Sequence, residues 1–236
     1  MSLLTAEWKN LVFANYTVPP QLIEKYLPAH TKPDFYNGKC YLSLVGFQFK
    51  NVKVANLKIP FNNDFEEINL RFYVKRFDGA KWRKGVIFIS QIADKAALNT
   101  LANVLFQENY QKLVTKQHIS EDDTSINARY SWRFKDEWQH LEAKSGIVAS
   151  PFQENSEEEF LMDRPWGYGK RNNEETNEYK VSHPDWPIFE VEEYSVKVDF
   201  SLLFGPEFNI LSSATPKSVI LAEGSTVSME EMNTIK

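Results

Sequence analysis

Polar and apolar residues alternate along residues 66–74, which read EEINLRFYV. Because a strand has a side-chain period of two, four polar side chains share one face and four apolar side chains share the other. The polar face carries Glu67, Asn69, Arg71 and Tyr73. Such a face is too polar for an ordinary core. The pattern therefore predicts a strand that lines a pocket with one face and packs its other face behind.

Similar alternation predicts an antiparallel sheet along most of the chain. The predicted strands cover residues 8–18, 39–54, 66–76, 85–93, 112–118, 125–134, 138–148, 178–182, 189–198 and 217–221, and a turn at 223–225 leads into a last short strand. Gly46 interrupts the second of these strands, which is typical of a bulge or a barrel bend. Residues 199–204 fit either a strand end or one helical turn.

Helical spacing of apolar residues is strongest in residues 96–106, with Asp94 as the N-cap. Two shorter helices are predicted, one from Pro20 to Tyr26 and one over residues 155–162. Residues 150–177 are predicted to form a polar, loop-rich insertion. We expect residues 1–236 to form one α+β domain that is mostly antiparallel sheet and is closed or strongly curved.

Composition narrows the function classes. The net charge of −5 is spread along the 236 residues, so neither nucleic acid nor a membrane is an expected partner. The single cysteine, Cys40, excludes an internal disulfide, and we expect it to be a buried strand residue. The first residues lack the apolar run of a signal peptide, and no segment is long enough to span a membrane. A soluble cytoplasmic protein is the expectation.

The common cofactor and nucleophile motifs are absent. The sequence has no Gly-x-Gly-x-x-Gly, no phosphate-binding glycine loop and no Gly-x-Ser-x-Gly elbow. His30, His118 and His140 lie at no metal-ligand spacing, so we expect neither a metal site nor a cofactor. His183 lies in a proline-flanked loop, where it would either contact a ligand or hold the loop to the sheet.

The order of the segments resembles the uncharacterised YqjF-like family, the domain of unknown function 2071. The matching motifs are LP at 27–28, EINLRFYV at 67–74, GVIFIS at 85–90, EFL at 159–161, HPDWP at 183–187 and AEGS at 222–225. That family is similar to acetoacetate decarboxylase. The resemblance implies a closed conical β-barrel, with a few helices, around a small apolar cavity that has polar groups at its base.

The resemblance also implies roles for single residues. Glu67 matches the glutamate of the decarboxylase strand. The lysine that forms a Schiff base in that mechanism would fall on Tyr110 or Gln111, and the second, electrostatic lysine would fall on Lys112. The nucleophilic lysine is therefore missing at this position, although such a lysine is what the mechanism requires.

Three functions follow as hypotheses. The first is a protein that binds a small apolar, carboxylate or carbonyl ligand in the barrel, with Glu67 and Tyr110 as candidate catalytic groups. Ligand contacts are expected from Asn69, Arg71, Tyr73, Lys112 and His183. The second is a decarboxylase-like lyase acting on a keto acid. The third is a homodimer that associates through the aromatic-rich residues 165–186. In the plainest alternative, Glu67 and Arg71 pair along a solvated strand and Tyr110 only caps the core.

Overall fold

Antiparallel β-strands make up most of the fold. The computed structural model describes residues 2–55, 57–58, 64–94, 97, 109–230 and 232–236. The strands of the described residues are β1 Ser2–Val18, β2 Lys32–Pro33, β3 Phe35–Tyr36, β4 Lys39–Val54, β5 Leu57–Lys58, β6 Phe65–Phe77, β7 Trp82–Ala93, β8 Tyr110–Lys112, β9 Val114–Glu121, β10 Ser125–Phe134, β11 Glu137–Ser150, β12 Trp166–Lys170, β13 Thr176–Ser182, β14 Ile188–Lys197, β15 Ser218–Glu230 and β16 Asn233–Ile235.

Few helices accompany the sheet in the part that the structure describes. The α-helices are α1 Glu157–Met162 and α2 Phe200–Phe204, and the 3-10 helices are Pro20–Leu22, Glu24–Tyr26 and Pro206–Leu211. The helix predicted over residues 96–106 lies outside the described residues, apart from Ala97. The backbone N–H of Ala97 donates to Asp94 Oδ1 at 2.7 Å, as it would to an N-cap residue. Within the described ranges, no helix is long and apolar enough to cross a membrane.

All sixteen strands belong to one sheet, in the order β16-β13-β12-β7-β6-β4-β1-β15-β14-β11-β10-β9 with β2, β3, β5 and β8 attached beside it. Among the described strands, β7 pairs in parallel with β8 and with β12, and the other pairings are antiparallel. Strand β13 also pairs with β15, so the strands from β13 to β15 form a ring. The ring is partial, because the β7–β12 and β13–β15 pairings each cover only two residue pairs.

The central strands are buried on both faces. On one face of β6, Ile68, Leu70 and Phe72 pack in a core that also contains Tyr130 and Trp132. The other face belongs to a second apolar cluster built from β1, β4, β13 and β15. A strand buried on both faces cannot send polar side chains to bulk water, so polar residues on β6 must be accommodated inside the protein.

Most predicted strands are confirmed, and so is a mostly antiparallel sheet with few helices. The turn predicted at 223–225 is wrong, because β15 runs straight through it. Gly224 has φ +85°, and a Cβ there would lie 2.0 Å from the carbonyl oxygen of Trp8. This glycine therefore permits close approach of β1 rather than a reversal of the chain. Gly46 fits its prediction, since it lies beside a register irregularity between β1 and β4.

The structure also decides two further segments of the sequence prediction. The predicted loop-rich insertion at residues 150–177 contains both α1 and β12, so only part of it is loop. Residues 199–204 form helix α2, whose N-cap Asp199 accepts from the N–H of Leu202 at 2.9 Å. The side-chain oxygen of aspartate competes well for the first helical N–H groups, which selects the helix over the strand end.

Helix α1 is fixed to the sheet through its first residue. Glu157 accepts hydrogen bonds from Tyr41 at 2.7 Å and Ser218 at 2.6 Å, and it pairs with Lys217. Burial alone would raise the pKa of Glu157, but the hydrogen bonds from Lys217, Ser218 and Tyr41 lower it below its ordinary 4.5. The helix thereby holds its C-terminal turn against the polar face of β6.

We expect Glu157→Gln to lower the free energy of unfolding by about 1–2 kcal/mol at pH 7, because charged hydrogen bonds on a partly exposed carboxylate are lost. A carboxyl whose pKa is lowered by folding stabilises above its unfolded pKa, and that contribution disappears as the pH falls through the folded pKa. The difference between variant and wild type should therefore shrink below pH 4.5. Urea unfolding at pH 7 and pH 3 measures both.

The matched control is Glu154→Gln, which removes the same charge from an exposed neighbour. Equal losses for the two variants, or a difference that does not depend on pH, would contradict the anchoring role of Glu157.

Candidate functional site

A cavity lies against the polar face of β6. The space that it encloses, together with open solvent at its mouth, is about 870 Å³. Most of the lining is apolar and aromatic. Its polar side chains come from Trp8, Glu67, Asn69, Arg71, Gln91, Tyr110, Arg164 and His183. Pockets with a few polar groups in an apolar and aromatic lining are typical ligand sites.

Strand register places the polar groups in a row. Asn69 on β6 is opposite Gln91 on β7, and Gln91 is opposite Tyr110 on β8. Glu67 lies two residues from Asn69 and therefore on the same face. The side chains of Glu67, Asn69 and Arg71 thus form one wall of the cavity, as the alternation of polar and apolar residues predicts.

Glu67 is buried, with 3% of its surface exposed. Its Oε1 accepts from Asn69 Nδ2 at 3.1 Å, and its Oε2 accepts from the Tyr110 hydroxyl at 3.0 Å. The Tyr110 hydroxyl also lies 3.1 Å from Gln91 Oε1. A phenol has one proton to donate, so it serves either Glu67 or Gln91 at a given moment. The group can hold or move a proton between a carboxyl and a phenol.

Arg71 lies at the other end of this wall. The residue is 9% exposed. Its guanidinium donates from Nη2 to the carbonyl oxygen of Leu161 at 3.3 Å and lies 4.9 Å from the ring of Phe13. Its Nε–H has no hydrogen-bond partner, and no carboxylate pairs with it among the described residues. Arg71 is therefore a buried cation in the cavity wall that the described protein does not neutralise.

A second guanidinium, that of Arg164, follows α1 directly. Its Nε donates to the carbonyl oxygen of Phe160, and its Nη1 donates to Asp34 at 2.6 Å. Its Nη2 has no partner within the described residues. Burial lowers the pKa of Arg164, and the hydrogen bond to Asp34 opposes this effect. An arginine remains protonated under such conditions.

Aromatic rings form another side of the cavity. His183 stacks on Trp186 at 4.0 Å between ring centroids, and Trp8 lies 6.0 Å from Trp186. Burial lowers the pKa of His183, and the nearby charge of Arg71 lowers it further. Its Nδ1 lies 2.8 Å from the carbonyl oxygen of Pro184, so this nitrogen carries the proton. His183 both holds its loop and faces the cavity.

The structure does not bring all candidate residues together. Glu67, Asn69, Arg71, Tyr110 and His183 line the cavity. Tyr73 is not part of the described lining, and its hydroxyl lies 2.7 Å from Ser43 Oγ. Lys112 is exposed at the end of β8.

Tyr110 and Gln111, the two candidates for the position of the decarboxylase lysine, face opposite sides of β8. Gln111 faces the opposite side of β8, where it donates to Ser90 Oγ and to the carbonyl oxygen of Leu203, each at 2.9 Å. Tyr110 is the one that faces the cavity. No lysine contributes to the described lining, and in the described ranges no group of three His, Cys, Asp or Glu side chains could hold a metal ion.

Sequence reasoning missed Gln91, Arg164 and Trp8. Gln91 lies in a strand that is otherwise mostly apolar. An amide in such a strand indicates a buried polar site. Arg164 lies in the segment that is predicted to be loop-rich. The one local signal is that it precedes Pro165, which restricts the backbone of Arg164.

Two of the large aromatic residues in the proposed contact patch, residues 165–186, face inwards. Trp186 is 3% exposed and Tyr179 is 5% exposed, and both line the cavity. Homodimer formation through this region remains a prediction that light scattering would test.

Family comparison agrees with this architecture. Residues 5–226 match the family model DUF2071, described as an uncharacterised conserved protein family. The chain belongs to this family. A curated relative is the uncharacterised protein YqjF of Bacillus subtilis (strain 168), which is 32% identical over 88 residues. That match covers 37% of this chain and 35% of YqjF, so about a third of each protein is compared.

Solved structures share the fold of this DUF2071 protein. An acetoacetate decarboxylase-like enzyme from Sphingomonas wittichii RW1 superposes with a TM-score of 0.66 at 11% identity, covering 100% of this chain and 94% of the other. The enduracididine biosynthesis enzyme MppR, complexed with pyruvate, gives 0.67 at 14% identity and covers 100% and 91%. Acetoacetate decarboxylase from Legionella pneumophila gives 0.63 at 11%, covering 100% and 90%. At these identities the likeness concerns the fold alone.

We expect Tyr110→Phe to lower the free energy of unfolding by about 1–2 kcal/mol, because the buried carboxyl of Glu67 loses a hydrogen-bond donor. Guanidinium chloride unfolding measures the change. Tyr194→Phe is the matched control, since this tyrosine is 46% exposed. A loss no larger than that of the control would show that the Tyr110–Glu67 hydrogen bond does not stabilise the site.

Proposed function

We propose that this protein binds a small organic molecule with a carboxylate or carbonyl group in the cavity beside β6. The observation that carries the proposal is a set of buried polar atoms without partners in the described lining: Trp8 Nε1, Asn69 Oδ1 and Arg71 Nε. Buried polar groups are hydrogen-bonded in the great majority of cases, and each unsatisfied one costs about 1–3 kcal/mol. A ligand in the cavity would remove these costs.

The chemistry of these atoms limits the ligand. Trp8 Nε1 and Arg71 Nε are donors, and one of them is charged, so the ligand must offer acceptors. Carboxylate and carbonyl oxygens are such acceptors, and charge-assisted hydrogen bonds are the stronger kind. The remaining lining, including Phe47, Phe88 and Val227, favours an apolar body.

We also infer that the partial ring of strands closes around the bound molecule as a conical barrel. The pairing of β13 with β15 and the shared fold of the decarboxylase-like structures support this inference. In a barrel, the inward face of every strand lines one enclosed space, which would explain why residues far apart in sequence meet at this cavity.

Binding should be visible in the protein's own fluorescence, because Trp8, Trp166 and Trp186 line the cavity. We expect small carboxylates or carbonyl compounds to change tryptophan emission in a saturable way and to raise the Tm of the wild type. The variant Val227→Phe fills part of the cavity, since Val227 is 1% exposed and lines it, and it should bind at least tenfold more weakly.

Val114→Phe serves as the control, because Val114 is 48% exposed on β9 and outside the described lining. If no carboxylate, carbonyl compound or apolar molecule binds, or if binding is unchanged in Val227→Phe, the cavity is not a ligand site.

A decarboxylase-like lyase is the second candidate function. It is favoured by the Tyr110 hydroxyl donating to Glu67, because a carboxyl and a phenol in contact can act as an acid–base pair on a carbonyl compound. The fold shared with an acetoacetate decarboxylase-like enzyme gives further support. Such chemistry would proceed without a Schiff base, since the described lining has no lysine.

We expect no covalent adduct when the protein is incubated with pyruvate and sodium borohydride and its intact mass is measured. Reduction traps a Schiff base only where a deprotonated lysine amine meets the carbonyl. An acetoacetate decarboxylase treated in parallel is the positive control. A stable mass increase that maps to one lysine would overturn the lysine-independent scheme and make the protein a Schiff-base enzyme.

A further inference from the structure

Two guanidinium groups are anchored to the last turn of α1. Arg164 Nε donates to the carbonyl oxygen of Phe160, and Arg71 Nη2 donates to that of Leu161, the next residue, at 3.3 Å. Both groups flank the ring of Tyr73, at 5.4 Å for Arg164 and 5.8 Å for Arg71. The two arginines come from distant parts of the chain, yet consecutive carbonyls of a single helical turn hold them.

Each arginine has one fully buried nitrogen without a hydrogen-bond partner within the described residues. For Arg71 it is Nε, and for Arg164 it is Nη2. Both side chains belong to the cavity lining. A carboxylate has two oxygens and several lone pairs, so it can accept from two guanidinium groups at once. Arg71 is held by the carbonyl of Leu161, and Arg164 is held by the carbonyl of Phe160 and by Asp34, so both guanidinium groups are anchored at this end of the cavity.

We propose that Arg71 and Arg164 together bind the carboxylate of the ligand, and that the ligand is a monocarboxylic acid with an apolar body. The proposal rests on the proposed function, because it names the class of molecule that the cavity accepts. It also assigns Arg164 as a specificity-determining residue.

The charge count favours a single negative charge. Arg71 and Arg164 carry two positive charges, and Asp34, which pairs with Arg164, carries one negative charge. Burial raises the pKa of Asp34, but Arg164 and Lys75 lower it below its ordinary value, so this carboxylate is ionised at neutral pH. Lys75 also pairs with Asp34, but its side chain is 30% exposed and solvent screens it. Beside α1, these side chains therefore leave one net positive charge, while Glu67 lies at the opposite end of the wall.

The end of the β6 wall that carries Glu67 disfavours a second carboxylate on the ligand. Glu67 is four residues from Arg71 on the same strand, about 13 Å between Cα atoms at the usual strand rise. A dicarboxylate long enough to span this wall would place its second anion beside the Glu67 carboxyl. Between Arg71 and Glu67 lie the apolar side chains of Val45, Phe47 and Val86 and the uncharged amide of Asn69. An uncharged hydrocarbon body fits there better than a charged one.

The test compares three six-carbon probes by calorimetry and tryptophan fluorescence: hexanoate, hexanamide and adipate. We expect hexanoate to bind at least tenfold more tightly than hexanamide, which lacks the charge, and than adipate, which carries a second one. Arg71→Met and Arg164→Met should each weaken hexanoate binding about tenfold or more, while hexanamide binding changes little. Arg133→Met is the control, since Arg133 is exposed on β10 and outside the described lining.

Loss of Arg164 leaves Asp34 without its buried partner, so thermal unfolding must first show that the variant is folded. If it is not, Arg164→Lys replaces it, because lysine keeps the charge beside Asp34 but lacks the fork of N–H donors. Equal binding of hexanoate and hexanamide, or hexanoate binding that neither arginine variant weakens, would overturn the two-arginine site while leaving the cavity a ligand site. If none of the three probes binds, this proposal fails, and the broader ligand panel with Val227→Phe decides the proposed function separately.

Discussion

Strand β6 is buried on both faces, and the rest of the cavity follows from that constraint. Its even-numbered residues pack in the main core, so Glu67, Asn69 and Arg71 face the second cluster and cannot reach bulk water. Polar groups in such a position must find partners within the protein or in a ligand. The neighbouring strands supply some of these partners by register, since Gln91 and Tyr110 are aligned with Asn69 across β7 and β8.

The polar groups at the two ends of this strand face differ in their partners. At one end, the carboxyl of Glu67 accepts hydrogen bonds from an amide and a phenol, so the chain itself provides its donors. At the other end, the charge of Arg71 meets only a helix carbonyl and aromatic rings in the described part of the chain. A helix C-terminus stabilises a cation modestly and does not replace an anion. This asymmetry makes the two ends of the cavity wall different, with the cationic end at α1.

Much of the sheet could be predicted, because burial and alternation leave a local signal. The strand of residues 39–54 coincides with β4, and the polar stripe of β6 faces a cavity as its period requires. Prediction failed where the cause was a distant contact. Gly224 resembles a turn residue locally, but its positive φ serves the approach of the Trp8 carbonyl. Arg164 lies in a polar segment without periodicity, and its role depends on Asp34 and on the position of α1.

The sequence by itself determined which residues share a strand face, because side-chain direction follows from the backbone period alone. The family resemblance narrowed the expected position of the decarboxylase lysine to Tyr110 or Gln111 and left the choice open. Only the tertiary structure decided which of the two faces the cavity, since their opposite directions become inside and outside only when β8 pairs with β7. It alone brought Arg164 beside Arg71, because that proximity is produced by packing α1 on β6 and by no local pattern.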